Sequence, residues 1–130
     1  MRSLLALLLA AATLAVLAGC AQPPTAAPGL MDVAQRPAEK ALLAGIRAYD
    51  DAQYAEAEKH LQGALQAGLS SPKDRAAAHK HLAFIYCTSS RPAQCEAAFR
   101  SARQADAGFV LSKSESGHPM WAPVYERVQP

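Results

Sequence analysis

Four residue pairs in this chain share one separation. Gly45 and Ala83, Ala57 and Cys95, Leu61 and Phe99, and Ala64 and Ala102 each stand 38 positions apart. Self-similarity at a period of roughly 20–50 residues means that one supersecondary unit is used more than once, and that neighbouring units stack to bury a common face. The unit here is helical. Leu42, Ile46 and Tyr49 recur at spacings of four and three, and so do Ala57, Leu61 and Ala64. Ala78, Leu82 and Ile85 repeat the spacing, as do Cys95, Phe99 and Ala102. Such positions fall on one side of a helix. No segment beyond residue 37 alternates apolar and polar residues as a strand would. Asp50-Asp51 and residues 68–72 and 88–92 punctuate the pattern, and Pro92 suits a first helical turn. The expected fold is all-α, with helices at about 38–51, 54–68, 73–88 and 92–105 paired into two hairpins.

The paired unit resembles the tetratricopeptide repeat, whose pattern runs W-x2-L-G-x2-Y, then A-x3-F, then a closing proline. The second copy is the better fit. His79 stands for the tryptophan, Leu82-Ala83 for Leu-Gly, Tyr86 for the tyrosine, and Cys95-x3-Phe99 for Ala-x3-Phe. In the first copy Gly45, Ala57-x3-Leu61 and Ala64 fit, while Ala41 and Ala44 replace larger residues. The period is longer than the usual ~34, and the linker at residues 69–73 can absorb the excess. Small residues at Gly45, Ala83, Ala57 and Cys95 let the two helices of each hairpin approach closely. After the repeats, Ser112-x-x-Glu115 can form a capping box. His118-Pro119-Met120-Trp121 should open a last helix through Val128, whose Trp121, Val124 and Tyr125 cap the exposed end of the array. Trp121 is either such a cap residue or an exposed anchor, and the core role is the expectation.

Ahead of the repeats the chain has a different character. Arg2 is followed at residues 4–17 by LLALLLAAATLAVL, in which only Thr13 is not apolar. That length suits a secretory signal and falls short of the ~20 residues of a spanning helix. Leu17-Ala18-Gly19-Cys20 comes next and resembles the lipobox of bacterial lipoproteins. Ala18 and Gly19 are small enough for a signal peptidase groove, and the Cys20 thiolate can form a thioether to diacylglycerol. Residues 1–20 are therefore expected to be a lipoprotein signal, with the mature chain starting at a lipidated Cys20. At ~0.8 kcal/mol per buried methylene, about three acyl chains anchor a protein permanently. In lipoproteins of this kind an aspartate after the cysteine favours inner-membrane retention. Ala21 stands there, so the expected location is the outer membrane, facing the periplasm. Residues 21–37 hold four prolines without periodicity and read as a tether of up to roughly 50 Å.

What remains is one domain, residues 38–128. Across the whole chain basic and acidic residues number 13 and 11, with no basic run, so there is no footprint for nucleic acid or an anionic lipid surface. Membrane contact is expected through the lipid anchor alone. With Cys20 used by lipid, Cys87 and Cys95 form an even pair in an oxidising compartment, a disulfide candidate. No constellation points to an enzyme. His79 and His81 are two apart on a helix and face different ways, and His60 and His118 lack ligands at metal spacing. These histidines read as solvated surface residues, and Glu56, Glu58, Lys59, Arg100 and Arg103 as ordinary helix-surface charges. The serines in the turns lack a G-x-S-x-G context.

Residues 77–87 (AAHKHLAFIYC), Arg91, Cys95, Phe99, Phe109, Leu111, Glu115 and the Gly117-His118-Pro119-x-Trp121-x-Pro123-Val124 segment go beyond a generic repeat. They resemble a family of tetratricopeptide-type lipoproteins associated with type VI secretion systems. The resemblance covers about residues 38–128, and its most specific segments are LAFIYC and GHPxW. It implies an accessory scaffold role in the envelope, a protein partner from the secretion apparatus, no catalysis, and no cofactor or metal. Asp106-Ala107 departs from the pattern where a proline is usual. Two other readings stand beside it: a pilot or assembly-factor lipoprotein of another envelope machine, and an adaptor for a peptidoglycan hydrolase. Neighbouring genes separate the three.

Overall fold

The computed structural model describes residues 36–130, with Gly29, Met31 and Asp32 ahead of them. The expected signal, the lipobox with Cys20 and most of the expected tether lie outside the described residues. Among residues 36–130 six helices follow in order: α1 (Pro37–Asp50), α2 (Tyr54–Ala67), α3 (Pro72–Thr88), α4 (Pro92–Ala105), α5 (Lys113–Ser116) and α6 (Ala122–Arg127). Among the described residues there is no strand. The architecture is all-α, two helix hairpins closed by a helical tail.

Local chemistry explains the boundaries. α1, α3 and α4 each begin on a proline, whose missing N–H is one that a first turn leaves unpaired anyway. This moves the start of α1 to Pro37, the last residue assigned to the tether. Ser71 caps α3 by accepting from the Asp74 N–H. Gly68 ends α2 at φ 90°, a left-handed conformation that glycine adopts without strain. The capping box at the tail is present: Ser112 Oγ accepts from the Glu115 N–H, and Glu115 accepts from the Ser112 N–H.

The residues at the 38-residue separation form the centre of the core. Ala57, Leu61, Ala64, Ala83, Cys95, Phe99 and Ala102 are all fully buried. Leu82 and Tyr86 are buried beside them. Gly45 sits where α1 crosses α2, and a Cβ there would lie 2.7 Å from Cγ of Leu61. α1 packs along α2 and α3 along α4, while α3 touches both helices of the first hairpin. The buried Glu39 carboxylate of α1 accepts from Ser70, tying the linker between hairpins to the first helix.

The tail departs from expectation at one point. Residues 118–121 form a turn rather than the opening of a helix, and α6 is only the six residues Ala122–Arg127. The His118 carbonyl accepts from the N–H groups of both Trp121 and Ala122, which turns the chain before helical bonding begins. Trp121 is buried, as the cap reading requires. The Tyr125 hydroxyl accepts from the Leu111 N–H at 3.1 Å, and Arg103 donates to the Val128 carbonyl, so both ends of the tail are fastened.

Candidate functional site

α1, α3 and the tail share a surface, and an aromatic row runs across it. The exposed Tyr54 ring at the start of α2 meets the Tyr49 ring of α1 edge-on at 5.6 Å. Tyr49 meets His81 of α3 at 5.3 Å, and His81 meets Phe84 at 6.1 Å. Phe84 stacks on Trp121 of the tail at 4.1 Å, and Trp121 stacks on His118 at 3.5 Å with the rings nearly parallel. Phe84 and Trp121 are buried, whereas Tyr49, His81 and His118 are half-buried and Tyr54 is exposed. Aromatic pairs in these geometries contribute about 0.5–1.5 kcal/mol each beyond area burial. The row therefore links both repeats and the tail, with Tyr54 exposed and Tyr49 and His118 half-exposed toward its two ends.

Charge is placed along the same surface. Lys80 Nζ donates to Glu115 Oε1 at 2.6 Å, joining α3 to the tail, and lies 5.7 Å from the Phe84 ring centre. Glu115 is held by several groups: burial pulls its carboxyl upward, but bonds from Lys80 and Ser112 outweigh it and leave the pKa below its usual value. Lys80 also lines, with Lys73, Ala76, Ala77, Phe109 and Val110, a solvent-open depression of about 200 Å³. That volume suits a single side chain.

The histidine expectation needs correction. His79 and His81 are half-buried, and burial pushes the pKa of each below 6.5. His81 Nδ1 lies 2.7 Å from the Ala77 carbonyl, which can only accept, so Nδ1 carries the proton. His118 is covered on one face by Trp121. A position that the hydrophobic pattern marks as the edge of the α3 face is thus filled by an imidazole used as an aromatic ring. Only His60 behaves as a surface residue, beside Glu56 at 3.4 Å.

Glu58 also departs from the surface-charge reading. Its carboxylate takes both Arg91 Nη groups, at 3.0 and 2.7 Å, and Arg91 stacks over the Tyr86 ring at 4.4 Å. Gln62 donates to the Tyr86 hydroxyl and to Glu58, closing the network. The bond from Arg91 holds the Glu58 carboxyl below its usual pKa, against a smaller opposing effect of burial. Spacing could not reveal this pair, because Glu58 and Arg91 are 33 residues apart on different hairpins.

Cys87 and Cys95 stand at disulfide distance, with 5.1 Å between their Cα atoms, inside the usual range of about 4.4–6.8 Å. Cys87 is buried at the end of α3 and Cys95 is fully buried one turn into α4. Cys20 lies outside the described residues. No family model, curated protein or solved structure matches the chain.

Proposed function

We propose that this chain is a lipid-anchored, non-catalytic scaffold of the bacterial envelope. It serves a type VI secretion system and holds a protein partner on the surface built from α1, α3 and the tail. The observation that carries the reading is the row Tyr54, Tyr49, His81, Phe84, Trp121 and His118. It crosses every unit of the described fold, and its last two members belong to the GHPxW segment on which the family resemblance rests. An aromatic row exposed at its ends, with a side-chain-sized depression beside Lys80, suits an extended peptide or one helix face. The lipobox, with Ala21 after its cysteine, supports anchoring at the outer membrane, and the proline-rich tether would give the surface reach into the periplasm.

Crosslinking in cells, followed by purification of the full lipidated chain from membranes, tests the reading. A component of the secretion apparatus is expected to co-purify, and Tyr54→Ala combined with Lys73→Ala should reduce its recovery. Both side chains are exposed, so the fold is retained. If no apparatus component is recovered with the unaltered chain, the proposal fails.

A further inference from the structure

The 38-residue repeat makes it possible to ask which face of α1 lacks a neighbour that the same face of α3 has. Each α1 residue has an α3 counterpart 38 positions on. Ala38 and Ala76, Gly45 and Ala83, and Ala48 and Tyr86 are buried in both copies. Three positions beyond the first residue of α1 go from exposed to covered. Lys40, Leu43 and Arg47 are exposed, Leu43 by 44%, whereas their counterparts Ala78 and Ile85 are buried and His81 is half-buried. These three fall at i, i+3 and i+7, one stripe of the helix. α3 differs from α1 in having a hairpin before it, and it packs on both helices of that hairpin, with His81 against Tyr49 of α1. The Lys40–Leu43–Arg47 stripe is thus the stacking face of a repeat that has no hairpin before it among the described residues.

From this we infer that the stripe is a docking surface for an acidic amphipathic helix of another protein, seated against α1 as the first hairpin is seated against α3. The chemistry of the stripe selects the occupant. A leucine lies between two cations, and neither Lys40 nor Arg47 has an ion-pair partner among the described residues. A helix with an apolar residue for Leu43 and carboxylates for the cations completes it. The chain's own segment between Cys20 and Arg36 is a poor candidate, since it has three prolines and one acid, Asp32. A second copy is also disfavoured. Stripe on stripe sets like charges together, and the opposite end of the array is closed by the tail through Phe99–Tyr125 and Phe84–Trp121. This surface is separate from the aromatic row and does not depend on the function proposed for it.

Photo-crosslinking tests the inference. Benzoylphenylalanine replaces the exposed Leu43 in the full chain in living cells, and the exposed Ala97 of α4 serves as the reference position. The Leu43 position should yield an adduct, absent at Ala97, that maps to a segment with acids spaced i, i+3/i+4 and i+7 around an apolar residue. A synthetic peptide of that segment should bind the purified chain, with at least tenfold weaker affinity for Lys40→Glu/Arg47→Glu. Melting of the double variant checks that the fold is intact. The inference is overturned by no adduct at Leu43, by adducts to residues 21–35 or to a second copy, by a mapped segment without acids, or by affinity unchanged on charge reversal.

Discussion

The Arg91 guanidinium sits over the Tyr86 ring, 4.4 Å from its centre, while both of its Nη groups hold the Glu58 carboxylate, so one side chain in the α3–α4 turn fastens the two hairpins together. Partly exposed ion pairs usually contribute little, and bidentate geometry places this one at the upper end, about 1 kcal/mol. Arg91→Ala also removes the stacking on Tyr86. The variant should melt about 5 °C lower, since 1 kcal/mol corresponds to roughly 4–8 °C in a domain of this size. Arg91→Lys should recover only part of the loss, because an ammonium cannot bridge both oxygens. A melting temperature unchanged in Arg91→Ala contradicts the account of the network.

Stability should fall with acid in two stages. His79 and His81 have folded pKa values below 6.5, so between 6.5 and those values the unfolded chain binds more protons. Stability is therefore complete above about pH 6.5 and declines below it. Glu58 and Glu115 are held below 4.5 in the fold, and their contribution is lost as pH falls further through their folded values. Thermal melts from pH 7.5 to 3 should show both stages. His79→Gln/His81→Gln should flatten the first and leave the second. A double variant that retains the first stage assigns it to other groups.

Two glycines make a paired test of the repeat packing. Gly63 lies within α2 with nothing within 4 Å of a Cβ, so Gly63→Ala should raise stability by about 0.5–1 kcal/mol through helix propensity. Gly45→Ala should instead lower it, because the new methyl meets Leu61 at 2.7 Å and overpacking costs about 1–3 kcal/mol. Denaturant melts with both variants decide it, and a stabilised Gly45→Ala would mean that α1 and α2 can separate without cost.

The Cys87–Cys95 pair should be oxidised in protein taken from the periplasm. Alkylation without reductant should leave both sulfurs unmodified in the intact mass, and two adducts would show free thiols. The pair is eight residues apart, a short loop, so chain entropy gives about 2.5 kcal/mol of stabilisation before any strain. Reduction should lower the melting temperature accordingly.

Much of this fold can be read from the spacing of small and apolar residues. The four long helices begin and end within two residues of the positions that periodicity and prolines mark. The shared 38-residue separation identifies Ala57, Leu61, Cys95 and Phe99 as core before any coordinates are known. The capping box at Ser112 is equally local. The interactions that join the units are not local. Glu58 with Arg91, Lys80 with Glu115, and Phe84 with Trp121 each depend on how one helix lies against another, and no residue spacing encodes that. His81 illustrates the limit: its polarity suggests solvent, but its flat ring is what the gap between Tyr49 and Phe84 accommodates.

The central claim is that the chain is an anchored scaffold required by a type VI secretion system. Deleting the gene and measuring secretion of the system's tube and spike proteins, together with sheath assembly, tests it most directly. The account predicts that secretion falls on deletion, returns with the unaltered gene, and does not return with Cys20→Ser, which should fractionate away from the membrane. Unchanged secretion and sheath assembly in the deletion strain would contradict the account.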